Sequence, residues 1–123
     1  MPMLEFSLKK SFNGFDIEVG LNVDEELLVL FGPSGAGKTL ILKMISGIIT
    51  PDEGSVSIGA ERLFDSASGI DLPMRKRRIG YLFQDYALFP HMTVWENIAY
   101  GIVEKDAGFV TRKVSELIGV MRL

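Results

Sequence analysis

Leu27-Leu28-Val29-Leu30-Phe31-Gly32-Pro33-Ser34-Gly35-Ala36-Gly37-Lys38-Thr39 is an apolar run that breaks into a glycine-rich turn ending in Lys-Thr. From Gly32 onward every fixed position of the spacing G-x-x-x-x-G-K-[ST] is filled. The five residues before it have the length and composition of a strand buried in a parallel sheet. Leu40, Ile41, Met44, Ile45 and Ile48 behind it recur at helical spacing. Strand, glycine loop and helix in that order predict an α/β fold of the phosphate-loop type.

The residue types suit polyphosphate. A loop that wraps its own amides around a phosphate needs bare backbone at the closest approach, and Gly32, Gly35 and Gly37 leave it bare. A helix opening at about Gly37 adds unbonded N–H groups and the positive end of its dipole. Lys38 then reaches the outer phosphates, and the Thr39 hydroxyl is placed to hold Mg²⁺. Pro33, Ser34 and Ala36 fill the variable positions, and Leu40 follows directly, so residues Gly32 to Leu40 form the expected nucleotide-binding set.

Composition bounds the rest. The 123 residues amount to one domain, small for an α/β enzyme. A net charge of −3 offers no general attraction for nucleic acid, and none is expected as a partner. With no cysteine, there is neither a disulfide nor a thiolate metal site, which suits a reducing cytosol. Met1 to Glu5 does not read as a signal peptide, and no apolar run approaches the roughly 20 residues of a membrane helix. Work at a membrane therefore requires another chain to hold this one there.

Leu4, Phe6 and Leu8 alternate with polar residues, and Phe15, Ile17, Val19 and Leu21 do so again after the Ser11-Phe12-Asn13-Gly14 turn, predicting an antiparallel hairpin. The helix after the loop should stop near Gly47, with Pro51 and Asp52-Glu53-Gly54 beyond it. Ser55 to Ile58 reads as a strand, Arg62 to Phe64 as a further candidate, and Asp65 to Gly69 as loop. Arg75-Lys76-Arg77-Arg78 admits contact with nucleic-acid phosphates, but in a net acidic chain it reads better as a solvated segment. Ile79 to Phe83 predicts a buried strand that delivers Gln84 at its carboxyl end, the edge where open α/β sheets bind ligands. An amide there can coordinate Mg²⁺ and orient water, or merely close a strand.

Tyr86, Leu88, Phe89 and Pro90 cluster apolar groups on a loop, either as a partner surface or folded back onto the core. His91 has no metal-ligand partner at suitable spacing and reads as structural or exposed. Thr93-Val94-Trp95-Glu96 is a capping box for a helix through about Tyr100. Val110, Val114, Leu117, Ile118 and Met121 share one face of a last helix.

Taken in order, these stretches resemble the ATP-binding subunit of an ABC transporter over essentially all 123 residues. Gly32 to Thr39 looks like the family's Walker A motif, and Tyr81 to Ile98 like its Q-loop region. Within the family the likeness is greatest to molybdate, tungstate or sulfate importers. The resemblance implies a P-loop NTPase domain of ABC type that opens with an antiparallel hairpin, with ATP and Mg²⁺ as cofactors. Lys38 and Gln84 would take the catalytic roles, Thr39 and Gln84 would face Mg²⁺, and Gln84 would link the γ-phosphate site to the membrane subunit. Phe12, or alternatively Phe15, would stack on adenine. Tyr86 to His91 would receive a helix of the transmembrane permease, and a second ATP-binding subunit would complete the site at the cytoplasmic face of the membrane.

A Leu-Ser-Gly-Gly-Gln signature and a Walker B strand do not occur within these residues, which resemble the amino-terminal half of one ABC domain, positions 1–123. Hydrolysis in the family also needs a carboxylate and a partner's signature, so background turnover is expected from these residues alone. The strands that flank Leu27 to Phe31 in related domains belong to the other half. Its edges would then stand open and favour self-association or strand exchange, unless the residues are a piece of a longer product. Two other classes remain: a nucleotide- or partner-binding module without turnover, and another phosphate-loop enzyme such as a small kinase, for which no acceptor-binding Arg or Asp set is evident.

Overall fold

Period-two alternation at the amino terminus becomes a hairpin of two nine-residue strands, β1 (Leu4–Phe12) and β2 (Phe15–Val23). Only Asn13 and Gly14 separate them, and Gly14 takes φ 97°, the left-handed conformation a two-residue hairpin turn requires. Their register runs from Leu4 opposite Val23 to Phe12 opposite Phe15. In the computed structural model, residues 2–33, 37–85, 87–104 and 106–122 are described. They fall into two compact units, Met1–Tyr81 and Leu82–Leu123.

In the first unit, β3 (Glu53–Ile58) pairs with the other edge of β1, and β4 (Glu61–Asp65) and β5 (Ile70–Asp71) extend the sheet. The order is β2-β1-β3-β4-β5, with every neighbour antiparallel. Gly54 makes the β1–β3 approach possible. At φ 124° an added Cβ would lie 1.8 Å from the Ser7 carbonyl oxygen, so no other residue fits without moving backbone.

Helix α1 (Lys38–Ser46) lays Met44 onto the sheet, where Phe6, Leu8, Ile17, Val56, Leu63 and Phe64 complete the core. Leu40, Ile41 and Ile45 pack around it at the spacing read from the sequence. Each such side chain contributes about 1.5–3 kcal/mol when fully buried. The helix ends at Gly47 in the left-handed conformation, where the amides of Gly47 and Ile48 both donate to the Lys43 carbonyl.

Arg77 corrects the reading of the basic cluster as uniformly solvated. Its side chain is buried, and its guanidinium donates to the carbonyls of Leu72 at 2.8 Å and Ile45 at 2.9 Å. It also meets the Asp71 carboxylate at 3.0 Å. Burial lowers its pKa and Asp71 opposes that shift. A cation is thereby fixed on the last carbonyls of α1, the negative end of the helix dipole.

A second correction concerns the two apolar runs read as buried strands. Leu27 to Phe31 and Ile79 to Phe83 belong to no strand ladder. Leu27 is 91% and Phe31 98% exposed, and Leu82 is 87% exposed. Ile79 still packs against the core. Apolar composition prepares a segment for burial in a sheet, but a strand exists only where a neighbour bonds its amides and carbonyls. Among the described residues neither run is paired into a ladder.

The second unit holds α2 (Val94–Tyr100) and α3 (Ala107–Met121). The capping box forms as expected, with Glu96 N–H donating to Thr93 Oγ1 at 3.1 Å and Thr93 N–H to Glu96 Oε1. Asp106 caps α3 through Phe109 N–H at 2.9 Å. Of the expected apolar face only Val114 is fully buried, while Leu117 and Met121 are exposed. Among the described residues, no helix is long and apolar enough to cross a membrane.

Candidate functional site

Helix α1 begins at Gly37, whose φ of 93° and ψ of 8° turn the chain from the loop into the first helical turn. Among residues with a Cβ this conformation costs about 1–2 kcal/mol. An added Cβ would also fall 2.7 Å from Ile17 Cδ1. The first intrahelical bond runs from Ile41 N–H to the Gly37 carbonyl at 3.0 Å, so the earlier amides of the first turn point out of the helix. Among the described residues no side chain caps them, whereas α2 and α3 carry Thr93 and Asp106 at the N-cap position. A buried-face helix start without a capping oxygen is suited to an anion from outside.

Lys38 folds back over the approach to the loop. Its ammonium donates to the carbonyls of Gly32 and Pro33, the second at 3.0 Å. The cation thus holds the entrance of the loop against the helix that begins with Lys38 itself. Thr39 is exposed in the first turn. Leu40 contributes its amide there while its side chain packs against the core. Ser34, Gly35 and Ala36 lie outside the described residues.

The sheet brings the aromatic candidates to the same place. Ile17, under Gly37, is opposite Lys10, and the next pair on that face is Phe12 with Phe15. The two rings stack with centroids 5.2 Å apart and planes at 19°. Phe12 also packs against the core and has the Lys10 ammonium 5.9 Å from its centroid, whereas Phe15 is more exposed. The helix start and the aromatic pair therefore share one face of one hairpin, which a sequence separation of 20 residues or more concealed.

This arrangement fits a magnesium-bound nucleotide in its donor set: outward amides and an ammonium for phosphate, a hydroxyl on the first helical turn for the metal, and rings for a base. Among the described residues no cluster of His, Cys, Asp or Glu has the makings of a protein-only metal site. A metal held here would take its remaining ligands from phosphate and water, as Mg²⁺ does.

In the second unit, Gln84 is exposed in the turn at Gln84-Asp85. Tyr86 lies outside the described residues. The following loop is tied to α2 by Asn97, a residue the sequence reading did not single out. Its side chain accepts from Phe89 N–H at 2.9 Å and donates to the carbonyls of Phe89, Met92 and Thr93. Phe89 packs on Tyr100 at 4.6 Å and meets His91 edge-on at 6.1 Å. Leu88 is left largely exposed. An Asn four residues past an N-cap Thr, after an apolar turn, is the signal that was available.

Residues 16–121 match the family described as ABC transporter. The molybdenum import ATP-binding protein ModC of Vibrio parahaemolyticus is 44% identical over 98% of the chain, which spans 32% of that relative. The protein of the same name from Paramagnetospirillum magneticum is 41% identical, with 98% and 34% covered. The chain thus spans about a third of the length of these relatives. A dimeric, post-hydrolysis structure of the ATP-binding cassette MJ0796 bound to ADP and Pi superposes with a TM-score of 0.74 at 25% identity, covering 98% of this chain and 58% of that one. The antiparallel sheet, the uncapped helix after the glycine loop and these matches together assign the chain to the ABC transporter family of ATP-binding proteins.

Proposed function

We propose that this chain supplies the nucleotide-gripping part of an ATP-binding subunit in an importer. The observation that carries the reading is the start of α1: amides without a side-chain cap, entered through a left-handed Gly37 and overhung by the Lys38 ammonium. A triphosphate arriving there gives Lys38 a stronger, charged acceptor than the Gly32 and Pro33 carbonyls. The Thr39 hydroxyl then faces Mg²⁺, Leu40 adds its amide, and the base stacks against the Phe12–Phe15 pair. Gln84 is assigned the γ-phosphate and metal-sensing role.

The Thr39 hydroxyl would hold Mg²⁺, whose charge, when the ion is bound, would offset that of the phosphates. The chain's own groups bind and orient the nucleotide. Hydrolysis additionally needs a carboxylate and a partner's signature, so the 123 residues alone bind ATP and turn it over at background rate. Positions 1–123 act as the amino-terminal half of one such domain.

The parent system is an importer at the cytoplasmic face of the membrane, and the names of the ModC relatives support molybdate or a related oxyanion as its solute. A permease docks at residues 86–91, whose shape is held by Asn97, and a second ATP-binding subunit faces the nucleotide. In isolation, the exposed run from Leu27 to Phe31 promotes self-association.

Calorimetric titration of Mg-ATP tests the reading. Wild type should give a saturable signal that Lys38→Ala weakens at least about tenfold, the loss expected from one charged hydrogen-bond partner of phosphate. An unchanged affinity in Lys38→Ala would overturn it. Sedimentation velocity tests the association: a concentration-independent monomer would remove that part alone.

A further inference from the structure

Strand β1 outruns its neighbour. It pairs with β3 only as far as Lys9 opposite Glu53, so Lys10, Ser11 and Phe12 project beyond the ladder with β2 as their one strand partner. The amide of Ser11 faces the side where β3 has ended.

Asp52 takes over at that point. Its own N–H donates to the Lys9 carbonyl at 2.8 Å, and its Oδ2 accepts from Ser11 N–H at 2.8 Å. Oδ1 accepts from Lys10 Nζ at 3.0 Å. The carboxylate stands in for the main-chain carbonyl that a longer β3 would have presented, and a charged acceptor makes the stronger bond. The same Lys10 ammonium reaches toward the Phe12 ring. Donation from Ser11, and then from Lys10, holds the Asp52 carboxyl below the usual aspartate range.

Asp52 lies six residues past the end of α1, so these bonds fasten the segment leaving the phosphate-binding helix to the overhanging end of the hairpin. We propose that Asp52 is a positioning residue for the base: through Ser11 and Lys10 it fixes the Phe12–Phe15 stack at a set place relative to the start of α1. The proposal rests on the nucleotide reading above, and it assigns to Asp52 the part of the affinity that comes from the base and not from phosphate.

Competition between ATP and inorganic tripolyphosphate separates the two contributions. With the 123-residue chain and Mg²⁺, Asp52→Ala should weaken ATP at least about fivefold, within the range of a base–aromatic stack. Tripolyphosphate affinity should stay within about twofold of wild type, because Lys38 and the helix start are untouched. Asp52→Asn, which keeps the shape and one acceptor for Ser11 but loses the charge toward Lys10, should fall between. Lys10→Met gives the same split from the other partner, and serves if Asp52→Ala does not fold. Equal losses for both ligands, or none for ATP, would overturn the role of Asp52. Wild type binding neither ligand would instead overturn the nucleotide reading itself.

Discussion

Gly37 rests on Ile17: the helix that follows the phosphate loop begins where a Cβ would come within 2.7 Å of Ile17 Cδ1. The contact puts the start of α1 over β2, next to the Phe12–Phe15 pair. Glycine is required twice at this position, for its positive φ and for the space.

Gly37→Ala should therefore cost about 1–2 kcal/mol from backbone conformation alone, read as a lower urea midpoint. Shortening the neighbour in Gly37→Ala/Ile17→Val should return only the steric part. A midpoint equal to wild type in Gly37→Ala would show that the turn does not need glycine.

Arg77 replaces solvent at the carboxyl end of α1. Arg77→Met leaves the carbonyls of Ile45 and Leu72 without this donor and Asp71 without its cation. The expected loss is roughly 2–4 kcal/mol in denaturant. Arg77→Lys should recover little, since a single ammonium cannot reach separated carbonyls and a carboxylate as a planar fork does. A lysine variant as stable as wild type would contradict that geometry.

Gly54→Ala tests the closest approach in the sheet. With Ser7 backbone 1.8 Å from the new Cβ, relief requires separating β1 from β3, and the loss should be at least about 3 kcal/mol. Thermal unfolding by circular dichroism measures it. A shift of only a degree or two would mean that β3 can slide at low cost.

Acid titration reports on Asp52. Its carboxyl is lowered in the folded state, so its contribution is complete above the unfolded value, about 3.9. That contribution is lost as pH falls through the lower folded value. Asp52→Asn should consequently lose stability at neutral pH and show a shallower acid limb below about pH 4. Parallel acid limbs in the two proteins would exclude the Asp52 carboxylate, with its bonds from Ser11 and Lys10, as a contributor to them.

Much of the site was legible because its signals are local. The spacing of Gly32, Gly37, Lys38 and Thr39 marks the loop, and Thr93 with Glu96 marks the start of α2. Alternation from Leu4 to Leu8 and from Phe15 to Leu21 was enough to pair β1 with β2. Arg77 was harder to read. In sequence it sits inside four consecutive cations, and only the packing of β5 and the end of α1 around it distinguishes it from Arg75.

The sequence by itself determined the hairpin, the three helices of the described residues and the family, since each rests on residues a few positions apart whose backbone preferences and periodicities act locally. Tertiary structure alone decided that the apolar runs Leu27 to Phe31 and Ile79 to Phe83 stay out of the sheet, which cation was buried, and that Asp52 reaches Ser11 41 positions away. The run from Leu27 to Phe31 carries the composition of a strand and forms none, because ladder hydrogen bonds belong to a pair of segments and not to either one.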